Sequence, residues 1–98
     1  MTRKVYIVNK SNHDFSAAEP FGELVFMSEG AFNRYEVNNM LRTFSEALRD
    51  SAAEDFLLPC ALSTMNMLAA VAFALKHRRL NLLLFRQGDY VEKNLVFD

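Results

Sequence analysis

The chain has 98 residues, 51% of them hydrophobic, and a formal net charge of −1. This length predicts one domain over residues 1–98, and the near-neutral charge argues against a polyanion-binding or membrane-surface protein. One cysteine excludes an internal disulfide framework and favours a reducing compartment, so we predict a cytoplasmic protein.

The first half of the chain predicts two short strands and one amphipathic helix. β-branched and aromatic residues predict strands over 4–9 and 23–27. Between them, Ser16 and Glu19 stand at capping-box spacing and Gly22 follows, which predicts one short helical turn. From 33 to 51, apolar residues recur every three or four positions, which predicts a helix with Asn33 as its N-cap.

The second half predicts a strand, a helix and a hairpin. The segment 55–59, in which an aspartate precedes three large apolar residues, predicts a strand that ends at Pro59, which has no N–H for a sheet ladder. Ser63 is the predicted N-cap of a helix over 64–77. Strands over 80–85 and 90–97 flank a glycine-containing turn and predict an antiparallel pair.

This order of elements predicts a mostly parallel sheet. A full helix between two strands implies a right-handed crossover, so we expect the second, third and fourth strands to run parallel. We predict the α/β class, as a small Rossmann-like sandwich with two main helices and an antiparallel C-terminal hairpin. The alternative is a two-layer α+β fold with both helices on one face of the sheet.

Residues 56–75 contain no charged side chain, and a window of that length could cross a bilayer. Pro59 interrupts the window, and the polar residues Ser63, Thr64 and Asn66 stand near its middle. The apolar part that remains is short, which is typical of a buried helix. We therefore predict a strand followed by a buried helix, and no membrane span.

The second helix is apolar on almost every side, which a small monomer cannot easily bury. One face can pack on the sheet, but the opposite face would meet water unless a second copy covered it. We therefore predict a homo-oligomer, a dimer or larger. The residues predicted at its interface are Met65, Leu68, Ala69, Ala72 and Phe73.

Polar residues follow the predicted strands at the carboxyl edge of the sheet, where ligands of open α/β sheets bind. The residues predicted to bind a nucleotide or another phosphate-bearing molecule are Lys10, His13, Ser63, Thr64 and Arg86. The chain has three glycines and no glycine-rich phosphate motif, so ordinary loop polarity is the alternative interpretation.

Cys60 lies between a predicted strand end and a helix N-terminus, a position that can lower the pKa of a thiol. His13 belongs to the same predicted edge, so Cys60 and His13 are candidates for a minimal Cys/His enzyme. The competing interpretation is that Cys60 is a small, buried apolar residue. No metal-ligand spacing is present, and we predict no cofactor.

These patterns favour a non-enzymatic, oligomeric interaction protein that docks on and inhibits another protein. The first alternative is a small-ligand module at the carboxyl edge, and the second is the minimal enzyme. The basic residues 76–79 end a helix, where cations suit the helix dipole. We therefore do not expect nucleic-acid binding.

Overall fold

The computed structural model describes residues 3–97, which form five strands, two α-helices and a 3₁₀ helix. The strands are β1 (Lys4–Ile7), β2 (Glu23–Phe26), β3 (Phe56–Leu58), β4 (Arg79–Arg86) and β5 (Asp89–Val96). The helices are the 3₁₀ helix (Ser16–Phe21), α1 (Val37–Ala47) and α2 (Ser63–His77). Every predicted element is present, with bounds shifted by a few residues.

The five strands form one sheet in the order β2-β1-β3-β4-β5. β1 pairs in parallel with both β2 and β3, β3 pairs in parallel with β4, and β5 is antiparallel to β4. The predicted α/β class, the mostly parallel sheet and the C-terminal hairpin are therefore confirmed. The second and third strands do run in the same direction, but β1 lies between them.

Both α-helices pack on one face of the sheet, so the Rossmann-like label applies only loosely. Their core includes Phe44 of α1, Phe73 of α2 and Tyr6 of β1. The 3₁₀ helix lies on the opposite face, where Ala18 packs with Ile7 and other residues of the second core cluster. This layering agrees with right-handed crossovers, because the chain steps one way from β1 to β2 and the other way afterwards.

The start of α1 differs from the prediction because Asn33 forms a turn. The Asn33 side chain accepts a hydrogen bond from the backbone N–H of Tyr35 at 2.9 Å. Its backbone carbonyl accepts the N–H of Glu36 at 3.0 Å. The helix therefore begins at Val37, after Glu36, and the predicted Asn33 N-cap is wrong. Met40 and Phe44 then face the core at the expected four-residue spacing.

The other two predicted N-terminal caps are also wrong. The 3₁₀ helix has no side-chain cap from Ser16; instead Asp14 accepts the Ser16 backbone N–H at 2.9 Å. In α2, the cap position is Leu62 rather than Ser63. Asn66 compensates from inside the helix, because its side chain donates to the Ala61 carbonyl at 2.9 Å and accepts the Ala61 N–H at 3.1 Å.

The inner side of α2 corrects the predicted interface. Met65, Ala69, Ala72 and Phe73 are at most 7% exposed because the sheet and α1 cover them. Leu68 is partly buried against the same core. The first four therefore offer almost no surface to a second copy.

A different row of α2 faces outward, formed by Met67, Val71 and Leu75.

Within residues 3–97, we find no helix with the length and apolar character needed to span a bilayer.

Two buried polar residues join the loop before β3 to the amino ends of β1 and β4. Asp55 accepts the backbone N–H of Lys4 at 2.9 Å and that of Ala52 at 2.7 Å. The Asn81 amide donates to the carbonyls of Ala53 and Asp55 at 2.7 and 2.9 Å. Because these groups are shielded from water, removing one partner leaves buried backbone groups without a hydrogen bond.

We predict that Asn81→Ala lowers the free energy of unfolding by about 2 kcal/mol, since two carbonyls lose their donor. The matched control is Asn94→Ala, because Asn94 lies directly opposite Asn81 across the ladder and is exposed. We expect the control to stay within about 0.5 kcal/mol of the unsubstituted protein. Urea denaturation of the three proteins measures both values, and equal losses would contradict the structural role of Asn81.

Candidate functional site

The strand order places a topological switch point between β1 and β3. The chain leaves β1 towards β2 on one side, whereas β3 and β4 continue on the other side. In open parallel sheets, the connections separate at such a point and leave a crevice beyond the carboxyl ends of the strands. The carboxyl ends of β1 and β3 are joined here by the thiol of Cys60, which donates to the Asn9 carbonyl across 3.5 Å.

A cavity of about 320 Å³ lies beside this point, on the sheet face that the 3₁₀ helix covers. It is formed where the ends of β3 and the β4–β5 hairpin meet the loop that precedes the 3₁₀ helix. Its lining residues are His13, Asp14, Phe15, Leu58, Pro59, Cys60, Phe85 and Tyr90. This is the cavity that we take as the candidate functional site, and we call it the edge cavity.

The loop wall of the edge cavity is held by short-range hydrogen bonds. The His13 backbone N–H donates to the Ser11 hydroxyl at 3.3 Å, and Asp14 accepts the Ser16 N–H. Phe15 is buried and packs edge-on against Phe26 with ring centroids 5.9 Å apart. The backbone hydrogen bond from Ser16 lowers the pKa of Asp14, so this wall carries an ionised carboxylate at neutral pH.

The opposite wall comes from the hairpin. Gln87 and Gly88 both have positive φ, 50° and 85°, which is typical of a tight two-residue hairpin turn. The turn places Phe85 directly opposite Tyr90, and their rings meet edge-on at 5.3 Å. Phe85 is 66% exposed, whereas Tyr90 is buried, and burial is the main cause of the raised pKa of the Tyr90 hydroxyl.

Cys60 lines the edge cavity but is poorly suited to nucleophilic catalysis. Its side chain is half-buried, and burial raises the pKa of the thiol. The hydrogen bond to the Asn9 carbonyl uses the thiol proton, which is a contact of the neutral form. A reactive cysteine needs surroundings that favour the thiolate.

The structure brings together two of the predicted site residues, His13 and Cys60, in one cavity. The other four predicted residues are not among the described residues that line it; they are Lys10, Ser63, Thr64 and Arg86. The N-terminus of α2 lies on the other face of the sheet, so Ser63 and Thr64 are outside the edge cavity. Strand alternation turns Arg86 away from the face on which Phe85 lies.

Lys10 continues beside β2 instead of turning towards β3. It forms a parallel bridge with Glu29, and its ammonium nitrogen lies 5.8 Å from the centre of the Phe26 ring. Lys10 therefore belongs to the β1–β2 side of the sheet.

Sequence reasoning missed the aromatic walls of the edge cavity. Phe15, Phe85 and Tyr90 had the appearance of ordinary core or strand residues. The stretch from 85 to 90 did contain a usable signal, since a two-residue turn at Gln87 and Gly88 makes Phe85 and Tyr90 direct neighbours. No local signal indicated that Phe15 would meet them.

The basic segment 76–79 makes contacts within the chain. The Lys76 ammonium donates to the carbonyls of Leu48 and Arg49 at the end of α1. Arg78 closes α2 in the left-handed conformation, and Arg79 donates to the Asn81 side chain at 3.1 Å. Among the residues described, no group of three or more His, Cys, Asp or Glu side chains is arranged to hold a metal ion.

Residues 3–97 match the family model described as "Phage Pam3 gp32-like protein". No curated protein and no solved structure matches the chain.

We predict that iodoacetamide alkylates native Cys60 at least several-fold more slowly at pH 7 than the same cysteine in urea-unfolded protein. Burial raises the thiol pKa, so less thiolate is present at a given pH and the rate profile moves to higher pH. Mass spectrometry over a series of pH values gives the rates. Faster alkylation of the native protein at pH 6 would contradict this assignment and restore Cys60 as a nucleophile.

Proposed function

We propose that this chain, which belongs to the Phage Pam3 gp32-like protein family, is a non-enzymatic interaction protein that works as a homo-oligomer. The observation that supports this proposal is the outer row of α2. Met67, Val71 and Leu75 are 61%, 45% and 72% exposed, and their spacing of four places them on one side of the helix. Large apolar side chains clustered on a surface mark interaction sites.

An apolar groove lies beside this row. It has a volume of about 290 Å³ and is lined by Val71, Ala74, Leu75, Arg78 and Phe97. Phe97 reaches this place because its backbone N–H donates to the Arg78 carbonyl at 3.1 Å, which ties the end of β5 to the end of α2. We call Met67, Val71, Leu75 and Phe97 together the α2 surface.

The α2 surface favours a second copy of the chain as the partner. Val71 and Leu75 belong to the row and also line the groove, so a two-fold axis would place this apolar surface of each copy against the same surface of the other. The neighbouring hairpin extends this surface, because Leu84 and Leu95 are exposed on the same sheet face as the helices. A typical interface buries about 800 Å² per partner, which is roughly an eighth of the 6207 Å² surface.

Pairing through the free edge of β5 is the competing way to form a dimer. The middle of that strand carries Glu92, Lys93 and Asn94, all of them exposed. Charged side chains on an edge strand discourage further strand addition. We therefore assign self-association to the α2 surface. A different protein that docks on the α2 surface would compete with the second copy. If the chain inhibits another protein, we propose that it does so by docking through this surface.

We predict that Leu75→Glu converts a dimer into a monomer, because a charge in the apolar contact would have to be desolvated. Sedimentation velocity at increasing protein concentration measures the mass. The matched control is Tyr35→Glu, since Tyr35 is 82% exposed but lies in the loop before α1. We expect the control to remain dimeric, and both variants to keep their thermal stability because the substituted positions are on the surface. An unsubstituted protein that stays monomeric throughout would refute self-association.

A second candidate function is the binding of a small ligand in the edge cavity. The cavity lies at the carboxyl ends of β3 and β4, beside the topological switch point, and this favours the function because ligands of open α/β sheets bind beyond the carboxyl ends of the strands. The described part of its lining contains no lysine or arginine, which gives little support to a nucleotide or other phosphate-bearing ligand. Stabilisation of the protein by AMP or inorganic phosphate in a thermal-shift experiment would show that a phosphate-bearing ligand does bind.

A further inference from the structure

We infer that the edge cavity binds a small organic cation that carries an apolar group. This inference rests on the second proposed function and names the chemistry of its ligand. It is carried by a carboxylate, Asp14, and three aromatic rings that line the same cavity from its two walls, with no lysine or arginine among the described lining residues.

The charge of the cavity comes from Asp14. The carboxylate is ionised and fixed in place by the Ser16 backbone N–H. The two cations predicted for this edge do not line the cavity, because Lys10 lies over the Phe26 ring and Arg86 lies on the other face of the hairpin. His13 is the other polar side chain of the loop wall, and its ring nitrogens can form hydrogen bonds with a ligand.

The rings supply the second part of the recognition. The faces of aromatic rings attract cations, and their area favours an apolar group. Phe85 is two-thirds exposed, although it stands against Tyr90. A ligand in the cavity would cover this solvent-exposed ring, and the burial of its apolar surface would favour binding. Phe15 and Leu58 form a buried floor.

The size and polarity of the cavity favour this ligand class over others. A volume of about 320 Å³ is at the small end of ligand sites, so a long chain or a dinucleotide would not fit. An anion would meet the Asp14 carboxylate without a lysine or arginine to balance it. A neutral ligand would gain no attraction from the exposed Asp14 carboxylate. A compact amine with one aromatic or aliphatic group uses both parts of the wall.

Three probes of nearly equal shape test the inference: 2-phenylethylamine, 2-phenylethanol and phenylacetate, which are a cation, a neutral molecule and an anion. Titrations followed by ¹H–¹⁵N correlation spectra give their dissociation constants and the residues that they touch. We expect the amine to bind about fivefold more tightly than either of the others, which is the upper range for an exposed ion pair. We also expect the amine to slow the alkylation of Cys60, which lines the same cavity.

Two variants test the two parts of the wall. Asp14→Asn removes the charge, keeps an oxygen for the Ser16 N–H, and should weaken amine binding about three- to fivefold. Phe85→Ala removes an exposed ring and should have an effect of similar size. The control is Glu29→Gln, which removes an exposed carboxylate outside the cavity and should leave the affinity unchanged.

The outcomes separate this inference from the proposed function beneath it. If phenylacetate or phenylethanol binds in the cavity as tightly as the amine, the ligand-binding function stands and the inferred preference for a cation is refuted. An amine affinity that Asp14→Asn does not change leads to the same conclusion. If none of the probes shifts the resonances of the cavity residues or protects Cys60, both the inference and the ligand-binding function are refuted.

Discussion

The burial of β1 on both faces is the constraint on which the rest of the structure depends. Val5, Tyr6, Ile7 and Val8 point alternately to the two faces of the sheet, and none is more than 2% exposed. Both α-helices cover one face, so the segment that follows β1 must cover the other. Burying apolar side chains is the main favourable contribution to folding. The loop and the 3₁₀ helix therefore cross over the sheet, and their path brings His13, Asp14 and Phe15 to the carboxyl ends of β3 and β4.

The same layering explains why α2 has an apolar outer side. In a small sheet with both helices on one face, the inner row of α2 is buried against the β-strands and α1. Among the residues that the structure describes, no third layer covers the outer side of the helix. Met67, Val71 and Leu75 are left in water beside the end of the hairpin. An exposed row of this kind is costly to a monomer and useful to an assembly, which is why the α2 surface is the centre of the proposed function.

The edge cavity differs in polarity from what a parallel sheet edge usually offers. Helix N-termini at such edges favour anions, but α2 begins on the far face of the sheet and contributes nothing to this cavity. The wall is instead supplied by a carboxylate-bearing loop and an aromatic hairpin. The chemistry of the site therefore follows from the loop and the hairpin, and for this reason the ligand that we propose is a cation rather than the anion expected at such an edge.

The sequence by itself determined the local elements of this protein. The spacing of apolar residues located α1 and α2, β-branched runs located the strands, and Gly88 indicated the hairpin, because each signal depends on neighbours along the chain. The helix caps were less predictable, since Asp14 and Asn66 form the side-chain hydrogen bonds at these helix starts and Ser16 and Ser63 form no cap. Only the tertiary structure decided the strand order, the faces covered by the helices and the presence of Asp14 and Phe85 in the lining of one cavity. Apolar strands can pair in many orders, and the exposed Met67 is the same residue type as the buried Met65. Long-range packing alone distinguishes them.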